Sequence, residues 1–203
     1  MATISTIFFD LGGVCLSNGW DREQRRVVTD RYGLDYESFD RRHRQVVDTL
    51  ERGQLTLHEY LQWTMFYEAH PFTIDMIVKD IFELSAPFPE TLKLVAALHK
   101  TGNYVLATIN NESRELNEYR IAKFELRRYF SAFFSSCYFG LLKPQPDHYR
   151  RALQITQCSP DECIYIDDRP MNVEVARILG MQAIPFTDAS QLEADLHAAG
   201  VEL

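Results

Sequence analysis

Ile7-Phe8-Phe9-Asp10-Leu11-Gly12-Gly13-Val14 decides the reading of this chain. An apolar run enters an aspartate, and two glycines follow at once. A parallel strand buried on both faces reads as a continuous apolar stretch, and such a strand presents polar groups at its carboxyl edge. The segment therefore predicts a strand that delivers one carboxylate, Asp10, onto a tight loop. Two later runs also end in polar residues, at Thr108 to Asn111 and at Asp167-Asp168, and Lys143-Pro144 falls between them.

Strands are expected over Thr3–Asp10, Asn103–Ile109, Cys163–Asp167 and Gln182–Pro185, with a weaker run near Phe133–Tyr138. Helical patterns alternate with them. Pro89-Glu90 opens a segment with apolar residues at helical spacing that stops at Gly102, and Pro146-Asp147 opens His148–Ile155. Asn172–Leu179 ends at Gly180, and Ser190–Ala199 ends at Gly200. This alternation predicts an α/β fold, a Rossmann-like parallel sheet with helices on both faces.

Residues 17–85 break the rhythm. Helices are drawn there over Asp21–Tyr32, Tyr36–Leu50, Thr56–Glu68 and Thr73–Leu84, with Thr56 and Glu59 as a capping box. The division expected is a core of residues 1–16 and 86–203 and a helical insert of residues 17–85. In the insert, Asp40-Arg41-Arg42-His43-Arg44 reads as a solvated helix face, with contact to a phosphorylated substrate as the alternative. Tyr60, Trp63, Phe66 and Tyr67 read as the insert's own core.

Composition narrows the function. The 203 residues suit one good-sized domain or a core with a modest insert. Apolar content of 46% and charged content of 25% are ordinary for a soluble globular protein. A net charge of −8 argues against a nucleic-acid partner, which needs a basic face. It also requires that a bound phosphate be held by local cations and dipoles. No signal peptide or membrane-length apolar run is visible, so a cytoplasmic location is expected. Cys15, Cys137, Cys158 and Cys163 form no Cys-x-x-Cys pair and read as reduced thiols, with Cys15 as a small apolar filler. The sequence carries no signal for oligomeric state.

In order and spacing, Asp10, the Thr108 to Asn110 region, Lys143, and Asp167 with Asp168 resemble the motifs of the haloacid dehalogenase-like superfamily, most of whose members are magnesium-dependent phosphatases. The resemblance covers nearly the whole chain. It implies that Asp10 is the nucleophile and forms an aspartyl-phosphate. It implies a Mg2+ site made by the carboxylates of Asp10, Asp167 and Asp168 and the main-chain carbonyl of Gly12. Lys143 would neutralise Asp10 and the phosphoryl group together. The backbone at Gly12 and Gly13 would cradle phosphate, with Thr108 or Asn110 as a further donor; Asn111 is grouped with them. Asn172 would hold the loop or a water beside the metal, or cap its helix. The insert looks like the small cap domain that many members carry at this place.

One match fails. The family's second aspartate of the first motif falls on Gly12, which cannot do acid–base chemistry. The Asp-Leu-Gly-Gly-Val form resembles a branch of sugar-phosphate phosphatases. Loss of an acid–base group costs ~10²–10⁴ in rate, so a slowed phosphatase of a small phosphorylated metabolite is expected. Two alternatives stand beside it: a metal-independent haloacid dehalogenase, which also lacks that aspartate, and a catalytically silent metabolite-binding protein.

Overall fold

The computed structural model describes residues 3–203. Five parallel strands form one sheet: β1 (Thr6–Phe9), β2 (Val105–Asn110), β3 (Ala132–Ser135), β4 (Cys163–Asp167) and β5 (Gln182–Pro185), in the order β3-β2-β1-β4-β5. The first strand in sequence lies at the centre. Phe9 is level with Thr108 on one side and with Ile166 on the other, so the three polar strand ends meet at one edge. This is the α/β Rossmann-like architecture expected from the alternation.

Successive side chains of a strand point to opposite faces, and the burial follows that rule. Ile7, Phe9, Leu106, Ile164 and Ile166 pack on one face, while Phe8, Ala107, Ile109 and Tyr165 pack on the other. Each face needs cover, and five helices flanking the sheet supply most of it: α5 (Pro89–Thr101), α6 (Arg114–Lys123), α8 (Pro146–Thr156), α9 (Pro170–Ile178) and α10 (Ala189–Ala198). Val95, Leu98, Leu192 and Leu196 complete the first cluster, and Tyr149, Ala152 and Ala176 the second.

The helical insert consists of α1 (Arg22–Arg31), α2 (Tyr36–Glu51), α3 (Leu57–Thr64) and α4 (Ile74–Glu83). It has its own apolar cluster, which includes Val28, Phe39, Leu50, Tyr60, Leu61, Ile77 and Ile81. Asp21, Asp35, Thr56 and Thr73 cap the four helices through their side chains. At α3 the reciprocal Thr56–Glu59 box is present.

Some expectations shift. The run through Tyr138 is not all strand: β3 stops at Ser135, and Ser136–Phe139 forms a single turn, α7. Short apolar runs do not separate strand from helix by periodicity, and here Ser136 turns the chain by accepting a hydrogen bond from the Glu112 N–H at 3.0 Å. The third insert helix ends at Thr64 rather than Glu68. Trp63 and Tyr67 are exposed and not core, whereas Tyr60 is buried. In the opposite sense, Asp40 and His43 are buried, so the charged stretch of α2 is not a purely solvated face.

Candidate active site

The site begins where β1 ends. The Asp10 N–H still pairs with the Ile166 carbonyl at 2.8 Å, which holds the residue to the sheet. Its Oδ1 accepts from the Leu11 N–H at 2.7 Å and lies 2.9 Å from Lys143 Nζ. Its Oδ2 has no hydrogen-bond partner among the described residues. The same ammonium donates to Asp167 Oδ2 at 2.7 Å. One buried cation therefore joins two carboxylates from adjacent strands.

Asp167 is fully buried and fixed from several sides. It accepts from the Arg169 N–H at 2.8 Å, from Asn172 Nδ2 at 3.0 Å and from the Tyr165 hydroxyl. Burial opposes its ionisation, but Lys143 and these donors together hold its carboxyl below the usual range. Asp10 moves the other way. Burial, with the neighbouring Asp167 and Asp168, outweighs Lys143 and pushes it up to about 7. Burial, then Asp167, also raises Asp168. Lys143 is kept charged: burial works against it, and the two aspartates more than compensate.

Lys143 is itself aimed by Asn111. The Asn111 Oδ1 accepts from the Lys143 N–H at 2.9 Å, and Asn111 Nδ2 donates to the Lys143 carbonyl at 3.0 Å. Thr108 and Asn110 point elsewhere. Thr108 Oγ1 donates to Asn110 Oδ1 at 3.3 Å, Ser135 Oγ donates to the same oxygen at 2.9 Å, and Asn110 Nδ2 donates to Asn117 at 3.1 Å. Both side chains are spent in a buried network outside the cavity lining. Of the three residues expected to bind phosphate at the end of β2, Asn111 is the one that lines the cavity.

The adjacent glycines differ. Gly13 has φ +84°, and a Cβ there would lie 2.4 Å from Asp168 Oδ2. Only glycine allows that approach. At Gly12 the nearest atom to such a Cβ is Asn18 Oδ1 at 3.5 Å, an ordinary contact. Gly12 lines the cavity; Gly13 supports Asp168 from below it.

One oxygen from each of Asp10, Asp167 and Asp168 lies within 4.8 Å of the other two. Asp168 Oδ1 is buried without a hydrogen-bond partner. A buried, unpaired carboxylate oxygen beside two further acids is costly unless a cation completes it. Three hard oxygen donors suit Mg2+, which keeps waters in its remaining positions. The donor set fits a divalent cation.

These groups open into a cavity of about 440 Å³, within the ~300–1,000 Å³ of small-ligand sites. The insert roofs it with Asn18, Trp20, Arg25 and Glu51, which the sequence did not single out, and with His43 of the charged stretch. Trp20 Nε1 donates to the Tyr60 hydroxyl at 2.8 Å, and that hydroxyl lies 2.8 Å from His43 Nδ1. Burial, aided by Arg25, lowers His43 to about 4. Arg120, 2% exposed, pairs with Glu112 at 2.7 Å beneath the cavity and donates to the Ser17 carbonyl. A buried arginine and a buried glutamate are rare unless paired, but the two lie apart in sequence without a local motif to reveal them.

The sequence pattern of the family described as haloacid dehalogenase-like hydrolase matches residues 4–180. Flavin mononucleotide hydrolase 1 of Arabidopsis thaliana is 38% identical over 81 residues, 40% of this chain and 33% of that protein. A bifunctional epoxide hydrolase 2 of Sus scrofa is 26% identical over 219 residues, 96% of this chain and 39% of that protein. The chain spans well under half the length of these curated relatives. Among solved structures, a haloacid dehalogenase family enzyme of Bacteroides thetaiotaomicron, in a magnesium complex, aligns with a TM-score of 0.78 at 21% identity, covering 97% of this chain and 99% of that one. At that identity the likeness concerns the fold. This chain belongs to the haloacid dehalogenase-like hydrolases.

Proposed function

We propose that this member of the haloacid dehalogenase-like hydrolases is a divalent-cation-dependent phosphatase of small, hydroxylated phosphomonoesters. The observation that carries the reading is Asp10, held at the sheet edge by Lys143, with its free Oδ2 beside two further carboxylates. Two anions do not approach each other unaided, and a nucleophilic carboxylate needs cations at the point of attack. Asp10, Asp167, Asp168 and the Gly12 carbonyl would hold Mg2+, which when bound draws charge from the phosphoryl oxygens.

The chain's own groups do the rest. Asp10 Oδ2 attacks phosphorus, the ester P–O bond breaks, and Asp10 carries the phosphoryl group until water displaces it. Lys143 balances the charge of Asp10 and of the incoming phosphate from a position fixed by Asn111. The insert acts as a cap: Trp20, Arg25 and His43 close the side opposite Asp10, where the alcohol part of the ester would lie. Asn18 and the His43 ring nitrogen that Tyr60 does not engage offer hydrogen bonds of the kind sugar hydroxyls use. The hydrolysis of flavin mononucleotide named for the Arabidopsis relative agrees with a phosphorylated substrate.

A dehalogenase would share Asp10 as nucleophile, and an L-2-haloacid dehalogenase of Xanthobacter autotrophicus with chloropropionic acid covalently bound has a related fold, at a TM-score of 0.63 and 17% identity over 99% of this chain and 85% of that one. That chemistry gives the unpaired Asp168 oxygen no task, so the phosphatase reading is preferred. A panel of phosphomonoesters and 2-haloacids, each with Mg2+ and with a chelator, tests the choice. Magnesium-dependent phosphate release is expected. Halide release that ignores the chelator, or no turnover of any ester, contradicts it.

A further inference from the structure

The cavity contains a carboxyl group that neither the fold nor the proposed metal site uses. Four acids among the described residues line it: Asp10, Asp21, Glu51 and Glu112. Asp10 is the nucleophile of the proposed reaction. Asp21 caps α1 by accepting from the Gln24 N–H at 2.9 Å, and Glu112 is paired with Arg120. Glu51, the last residue of α2, takes part in no side-chain hydrogen bond or ion pair, and it is partly buried. Of the four, it is the acid that no other group engages, which leaves it free to meet a bound molecule.

Its position is set by the two residues that follow it. Arg52, the next residue, donates from Nη1 to the Gly140 carbonyl of the core. Gly53 follows with φ +70°, and a Cβ there would lie 2.2 Å from the Cys137 carbonyl oxygen. Backbone thus presses on backbone where the end of α2 meets the core. This contact holds Glu51 over the cavity that Gly12 lines from below. Glu112, Arg169, Asp48 and Arg25 are the charged groups that face it. Burial first, then Glu112, pushes its carboxyl up to about 7, which keeps much of it protonated at neutral pH.

We propose that Glu51 is the proton-transfer group of this site, doing from the insert what Gly12 cannot do from the sheet edge. The assignment rests on the phosphatase reading above. As Asp10 Oδ2 bonds to phosphorus and the ester P–O bond breaks, the departing oxygen takes the Glu51 proton and leaves as an alcohol. The resulting carboxylate accepts a proton from water, the hydroxide oxygen bonds to phosphorus, and the P–O bond to Asp10 breaks. Phosphate departs, and both Asp10 and protonated Glu51 are restored. His43 does not fit the role of acid, because at neutral pH it is uncharged and has no acidic proton to give.

The test compares wild type, Glu51→Gln and Glu51→Gln/Gly12→Asp on glycerol phosphate and on para-nitrophenyl phosphate, all with Mg2+. An alkoxide needs protonation to leave and a nitrophenolate does not. Glu51→Gln should lower kcat/KM, which ends with departure of the alcohol, on the alkyl ester by ~10²–10⁴ and on the aryl ester far less, while the hydrolysis step common to both esters lowers kcat on each. The Gly12→Asp change, whose Cβ would stand at ordinary contact distance from its neighbours, should then return at least ~10-fold in kcat/KM on the alkyl ester, about 1.4 kcal/mol of barrier. In wild type the alkyl kcat/KM should fall as pH rises through the Glu51 pKa, and the aryl value should not, a readout independent of any variant's folding. An unchanged alkyl-to-aryl ratio of kcat/KM in Glu51→Gln, or a raised KM with kcat intact, would make Glu51 a contact residue and overturn the proposal while leaving the phosphatase reading standing. Wild type that releases phosphate from neither ester would overturn both.

Discussion

The floor and the roof of the cavity are built on different terms. On the floor, Asp10, Lys143 and Asp167 sit at the ends of β1 and β4 and on the β3–α8 connection, each restrained by more than one neighbour. On the roof, Glu51 has no partner and His43 only the Tyr60 hydroxyl on Nδ1. The floor fixes charge before any ligand arrives, as an electrostatically preorganised site must. The roof leaves groups unspent, and those are the ones a substrate can still engage. On the proposed phosphatase reading, the difference would separate residues needed for the reaction itself from residues that adapt it to a substrate.

Substitutions should respect that division. Asp10→Asn is nearly isosteric and should cost at least ~10³ in turnover of every ester, about 4 kcal/mol of barrier, measured with the panel above. The same change should raise stability. A carboxyl lifted to about 7 from its ordinary 3.8 contributes stability that is full below 3.8 and lost as pH rises through 7. The stability gain of Asp10→Asn should therefore grow from mildly acid to neutral pH and level off above, in paired thermal melts without metal. Lys143→Met should do the reverse on stability: it strands two buried carboxylates and should cost about 3–5 kcal/mol in denaturant unfolding. A Lys143→Met protein as stable as wild type would break the contrast between floor and roof.

Smaller effects sharpen it. Gly13→Ala forces a Cβ into Asp168 at positive φ and should lose at least ~1–2 kcal/mol together with Mg2+-induced stabilisation. Gly12→Ala should lose less than about 1 kcal/mol, since its neighbours stand at ordinary contact distance. The smallest effect belongs to the roof. His43 is held neutral, near 4 against an ordinary 6.5, so its contribution to stability is full above 6.5 and lost as pH falls towards 4. His43→Asn should flatten part of that acid slope in thermal melts and leave the neutral melting temperature nearly unchanged.

The floor was legible in the sequence because parallel strands announce themselves as apolar runs and place chemistry at their ends. Ile7 to Asp10 and Ile164 to Asp167 show both features within a few residues. Lys143 was legible through its flanking prolines and its place in the order of motifs. Thr108 and Asn110 show the limit: alternation correctly put them on one side, but the sequence could not reveal that Asn117 and Ser135 occupy their polar groups. The roof was largely illegible. His43 stood inside a charged helical stretch, and Glu51 at the end of a helix resembles any surface glutamate. The packing of Gly53 on Cys137 and the Arg52 bond to Gly140 give that glutamate its position over the cavity, and such contacts between distant segments leave no local signal.

The central claim is that Asp10 accepts a phosphoryl group. It is tested most directly by acid-quenching wild-type protein during turnover of a phosphomonoester with Mg2+ and analysing the peptide that carries Asp10 by mass spectrometry. The account predicts one phosphoryl group on Asp10, present with Mg2+, absent with a chelator and absent in Asp10→Asn. Steady phosphate release with Asp10 unmodified, and with Asp10→Asn still active, would contradict it.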